Sequence, residues 1–186
     1  MITTSIFAIG LVAGSSLLLL SIVGLLRKSF IFWPPPSKAS WQYAVFWALF
    51  RTMFIALVLV CVLDFEGLGS RSGALQLTGW LLIVVGFGIA TAITMKLGWS
   101  VAHGEANELK TDGWFAFSRN PIYVFSIVGM IGAVIAINSS YANWLLGLWA
   151  GMYIVAPFAE ESWLEKEYGA AYRDYLRRVP RFVGWV

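Results

Sequence analysis

The chain has a single cysteine, a single histidine and little charge of either sign. Cys61 alone cannot close an intrachain disulfide. Set in an apolar run, it reads as a small hydrophobe and not as a nucleophile. His103 alone cannot build a His-rich metal site, and no Cys/His cluster stands near it, so no metal is expected and it reads as a loop residue. Charged residues make up 12% of the chain, where a soluble domain has about a quarter. The net charge of +3 is too small and too scattered for a nucleic-acid partner. No segment is of low complexity, and nothing repeats.

What fills the chain is apolar. Hydrophobic residues reach 59%, the mean hydropathy is +0.75, and ten tryptophans suit the aromatic belts of a membrane protein. The 186 residues fit one domain. Five apolar segments emerge, at 6–26, 41–63, 75–95, 122–137 and 141–158. About 20 apolar residues cross a bilayer, and the first three segments clear that bound. The last two are marginal and read as a tight helical hairpin turning around Asn138-Ser139-Ser140, with room for a cavity on the near side. The first segment lacks a basic n-region and exceeds a signal h-region, so it stays as a transmembrane helix.

After the fifth segment, Trp163, Leu164, Tyr168, Tyr172, Tyr175, Leu176 and Val179 recur at helical spacing among charged neighbours. They predict an amphipathic helix over 160–178, on the membrane or folded over the cytoplasmic mouth as a lid. The expected fold is therefore all-α: five transmembrane helices plus a C-terminal amphipathic cytoplasmic helix. Eleven of the thirteen basic residues fall on one side of such a bundle. The positive-inside rule puts that side, with the C-terminus, in the cytoplasm and the N-terminus outside. The expected location is the bacterial inner membrane.

Several polar or special positions interrupt the apolar background. "FWPPPS", residues 32–37, carries three prolines and reads as a stiff surface loop, or as the rim of a groove admitting lipid. Arg51 lies ten residues past Trp41, about 15 Å along the second helix. No acid lies within any apolar segment, so a substrate head group is its candidate partner, with snorkelling or a neighbouring helix as the alternative. Gly86-Phe87-Gly88 is not a Rossmann turn and reads as close helix packing.

Two polar blocks, 96–123 and 160–182, meet at the cytoplasmic face of the five-helix topology. In "SRNP", Pro121 suits the first helical turn and Asn120 can cap it by accepting a backbone N–H. Arg119 and that helix start could together hold an anion such as a carboxylate, or Arg119 could simply snorkel. Glu160 and Glu161 point about 100° apart on a helix. One could pair with Arg119 while the other binds a cation or a hydroxyl; a solvated helix start is the plainer reading.

These blocks resemble the integral-membrane methyltransferases that include isoprenylcysteine carboxyl methyltransferases and phospholipid N-methyltransferases. In "NELKTDGWFAFSRNPIY", Leu109, Thr111, Gly113, Arg119, Pro121 and Tyr123 match that family's first pattern in register. In the second, Glu160, Glu161, Leu164, Tyr168, Gly169, Tyr172, Tyr175, Val179, Pro180 and Arg181 match. The resemblance covers about residues 75–182. It implies S-adenosylmethionine at the cytoplasmic end of the last helices, lined by 107–113 (Asn107, Leu109, Gly113), Asn120, Tyr123 and the glutamate pair. It makes Gly86 and Gly88 a Gly-x-Gly cofactor element; Arg119, Glu160 and Glu161 are read as the catalytic set, and Arg51, from its depth in the second segment, as a substrate contact. Asn107 and Asn120 replace the histidines of the isoprenylcysteine enzymes, which points away from a prenylated-protein substrate. The implied reaction moves a methyl group to a lipid or other lipophilic small-molecule acceptor. Rival readings are an NADPH-dependent membrane reductase of similar architecture, generally longer, and a non-catalytic membrane scaffold.

Overall fold

The computed structural model describes residues 1–27, 29–65, 72–98 and 108–184. Runs of Leu, Ile and Val leave each apolar segment one way to satisfy its backbone in lipid, the intrahelical bond. The regular elements among the described residues are all helical: α1 Ile2–Leu26, α2 Trp41–Leu63, α3 Gly73–Leu97, α4 Pro121–Ile137 and α5 Ser140–Leu176, with a 3-10 turn at Gly113–Ala116. Four of them, α1, α2, α3 and α5, are long and apolar enough to cross a membrane; α4 is apolar but has only 17 residues. Serines start three of the helices. Ser40, Ser72 and Ser139 accept from the backbone N–H of Tyr43, Leu75 and Ala142, each cap worth about 1 kcal/mol.

Small residues decide which helices touch. Gly79 and Gly86 of α3 meet Gly129 and Gly132 of α4 so closely that a Cβ on Gly86 would lie 2.3 Å from the Gly129 nitrogen. Such contacts let backbones approach where lipid offers no hydrophobic drive. The buried Gln76 adds a bond from Nε2 to the Ala136 carbonyl at 3.3 Å. On the other side, α1 packs against α2 and α5, its Gly10 and Gly14 facing Ala56, Met53, Leu145 and Leu148. At the end away from the polar blocks, Asn138 turns the chain in the left-handed region at φ 55°. The buried Ser139 then hydrogen-bonds Asp64 at the end of α2.

One boundary differs from the sequence expectation. The last apolar segment and the helix expected from residue 160 form one element, α5, of 37 residues, with Pro157 buried inside it. Its unbroken part, 140–168, is about 44 Å at 1.5 Å per residue, longer than the roughly 30 Å of a hydrocarbon core. The break comes later, at Gly169 (φ 54°, ψ −123°), a conformation that glycine reaches without a Cβ clash. Beyond it Tyr172, Tyr175 and Val179 fold onto Leu109, Phe115, Leu164 and Tyr168. The proline-rich connection between α1 and α2 also turns inward. Phe32 is fully buried, and Trp33 stacks on Phe46 with ring centroids 4.1 Å apart.

Candidate functional site

Where α2 and α4 begin and α3 ends, the helices enclose a cavity of about 570 Å³. This lies within the usual range for small-molecule sites. Its walls are rich in aromatic rings: Trp33 before α2, Trp47 and Phe50 on α2, Phe87 on α3, Trp149 and Tyr153 on α5. Polar groups enter from the start of α4 and the second half of α5, and also from Thr91 and Thr94 on α3 and from Glu108 and Lys110.

The helical turn separates Glu160 from Glu161, and each finds a different environment. Glu160 accepts two hydrogen bonds on the same oxygen, Oε1, from Trp33 Nε1 at 2.7 Å and from the Tyr123 hydroxyl. Both donors are neutral. Glu161 receives a bidentate pair from Arg181, Nε at 2.7 Å and Nη2 at 2.8 Å, and lies 3.3 Å from Nη2 of Arg119. The hydrogen bonds that Arg181 donates to Glu161 raise its guanidinium above its ordinary value, against an opposing effect of burial, so that side of the pair stays cationic. Arg181 also lies over the Phe158 ring, 3.9 Å from its centroid.

Arg119 is held from behind. Its backbone N–H donates to the Pro180 carbonyl at 2.9 Å. Ser118 Oγ and Asn120 Nδ2 both donate to the Arg181 carbonyl. The start of α4 is thus zipped to the returning chain. Asn120 does occupy the N-cap position, with Pro121 at N1, but its side chain makes no cap bond. The expected cap is absent: the side chain is turned so that its Nδ2 donates to the Arg181 carbonyl. Arg119 Nε is buried without a hydrogen-bond partner among the described residues. A buried, unused donor on a guanidinium marks room for an acceptor.

Not every residue singled out in the sequence comes to this cavity. Leu109, Arg119, Asn120, Tyr123, Glu160 and Glu161 line it. Gly113 sits at φ 56° where the 3-10 turn opens, and lines a neighbouring surface pocket. Gly86 is buried in the α3–α4 contact, and Gly88 is exposed with nothing within 4 Å of an added Cβ. Neither glycine is in the cavity wall. Arg51 is exposed on α2, outside the wall, its guanidinium 5.9 Å from the centroid of the Trp47 ring that does line it. Asn107 and His103 lie outside the described residues. Sequence reasoning missed Trp33 and Tyr153 as wall residues. It placed Arg181 in a motif without giving it a partner. No spacing rule links Trp33 to Glu160, which lie 127 residues apart. Among the described residues no group of His, Cys, Asp and Glu could hold a metal ion.

A family model described as phospholipid methyltransferase matches residues 75–171. That span carries Arg119, Asn120, Tyr123 and both glutamates, and leaves out Trp33 and Arg181. No curated protein and no solved structure matches the chain.

Proposed function

The chain belongs to the phospholipid methyltransferase family, and from that footing we propose a membrane enzyme that moves a methyl group from S-adenosylmethionine to a lipophilic, membrane-partitioning acceptor. The observation that carries this reading is the division of the two carboxylates. Glu161 is neutralised by two guanidinium groups. Among the described residues, Glu160 is held only by neutral donors in an aromatic-rich cavity. Arg119 keeps one buried N–H unused.

This donor set fits a ligand that carries a carboxylate and a positive centre together. The carboxylate would be received by Arg119 and the start of α4, which no side chain caps. The positive centre, the α-ammonium common to S-adenosylmethionine and S-adenosylhomocysteine, would be held by Glu160 and the faces of the surrounding rings. Leu109, Asn120 and Tyr123 complete the cofactor wall, with Asn107 and Gly113 proposed beside them. S-adenosylmethionine supplies an already activated methyl group on a positively charged sulfur. The protein's own work is then placement and dryness. Arg119 orients, Glu160 holds charge, and the aromatic walls exclude water. The segment beyond Gly169 covers the mouth through Tyr172 and Tyr175. Arg51, beside Trp47, would meet the phosphate or carboxylate of an acceptor arriving from the bilayer. In this reading α4 also crosses the membrane, giving five crossings, an outer N-terminus and a cytoplasmic site.

Calorimetry on the detergent-purified protein tests the proposal. Saturable binding is expected for S-adenosylmethionine and for S-adenosylhomocysteine, none for NADPH, and a loss of about tenfold or more in Arg119→Ala, as for removal of one charged hydrogen bond. Binding of NADPH with silence from the two methyl-cycle ligands would overturn it in favour of a reductase.

A further inference from the structure

The match to known methyltransferases begins at residue 75, yet the cavity is closed by a residue far upstream of it. We propose that Trp33 is a positioning residue for Glu160, and that the connection between α1 and α2 is thereby a working part of the ligand site. The inference deepens the reading above and rests on it.

Three observations place Trp33 in that role. Its indole N–H reaches Glu160 Oε1 at 2.7 Å, one of only two side-chain bonds on that oxygen among the described residues. Its ring is fixed from behind by the stack on Phe46 at 4.1 Å, next to the fully buried Phe32. Pro34, also in the cavity wall, follows it directly and restricts the backbone. A donor on so stiff a mount has one direction to point.

Chemically, the arrangement loads one oxygen of the carboxylate and leaves the other for the ligand. Tyr123 approaches Oε1 from α4, inside the matched span, and Trp33 approaches it from outside that span. Two donors on two separate elements stop the Glu160 side chain from rotating away. Remove one and the carboxyl group loses its bearing. A buried hydrogen bond between a neutral donor and a charged acceptor is among the stronger kinds. Ring packing alone needs no N–H, and so does not account for an indole aimed at this oxygen.

The test separates the N–H from the ring. S-adenosylhomocysteine affinity is measured by calorimetry in the wild type, Trp33→Phe, Glu160→Leu and the double variant, beside the melting temperature of each. Replacing Trp33 by benzothienylalanine, which keeps the bicyclic shape and exchanges N–H for sulfur, repeats the comparison if Trp33→Phe does not fold. Loss of the N–H is expected to weaken binding about tenfold, with the melting temperature lowered by no more than one lost hydrogen bond explains. The same loss should vanish in the Glu160→Leu background, which has no acceptor, and Trp33→His, which can donate again, should restore part of it. Unchanged affinity without the N–H, or an equal loss with and without Glu160, would overturn the positioning role while leaving the methyltransferase reading intact. A wild-type protein that does not bind S-adenosylhomocysteine would bring down both.

Discussion

Glu160 and Glu161 are neighbours in the chain and opposites in the site, because a helix turns about 100° per residue. Their conservative substitutions should therefore separate. Glu161→Gln removes the charge shared by Arg119 and Arg181, and is expected to lower stability by about 1–3 kcal/mol, read as a reduced melting temperature in detergent. Glu160→Gln keeps an amide oxygen for Tyr123 and Trp33, so the fold should melt nearly where the wild type does while S-adenosylhomocysteine binding falls. A melting loss as large as that of Glu161→Gln would contradict the division of roles. The divergence of the pair was legible in the sequence, because it follows from helix geometry alone. The destination of Asn120 was not. Its side chain reaches a carbonyl 61 residues away, and a local pattern suggesting a cap cannot register that competitor. Arg51 shows the same limit: its depth could be counted along α2, but the face it occupies could not.

Among the elements, the α3–α4 contact is the tightest, and it depends on the absence of side chains. Gly86→Ala puts a Cβ against the Gly129 backbone, and forcing the helices apart is expected to cost about 1–3 kcal/mol. Gly88→Ala, two residues on, meets open space and should leave the melting temperature unchanged or slightly raised. Equal effects at the two sites would show that α3 is not packed as described. The sequence allowed two readings of this Gly-x-Gly, helix packing and a cofactor element; the first is where Gly86 lies. In α5 a third substitution tests the break: Gly169→Ala forces a Cβ into a left-handed conformation, at about 1–2 kcal/mol. Helices were legible in the sequence because apolar runs of this length have few alternatives. The course of α5 was not, because an acidic pair after an apolar run resembles a solvated helix start. Only the tertiary partners, Trp33, Tyr123, Arg119 and Arg181, let the helix continue through it.

For the molecule as a whole, the four membrane-length helices and the short apolar α4 define a topology that can be read by accessibility. Single cysteines introduced at the exposed positions Thr4, Ser37 and Val183, in a Cys61→Ser background, should sort into two groups with a membrane-impermeant maleimide. Thr4→Cys is expected to label from outside, and Ser37→Cys and Val183→Cys only once the cytoplasmic side is opened. Labelling of the last two from opposite sides would exclude five crossings. The sequence revealed the half of the molecule that bears the family motifs and was nearly silent on the other half, since aromatic residues in a proline-rich stretch carry no periodicity. That silence concerned the part that closes the cavity. A site assembled from Trp33 at one extreme and Arg181 at the other also has a schedule. At roughly 5–20 residues per second of synthesis, some 7 to 30 seconds separate the two residues at the ribosome. Until Glu160 is made, for most of that interval, the first helical pair must wait in the bilayer with its indole unmatched, and the enzyme, however well its early helices are inserted, has no pocket until nearly all of it has been made.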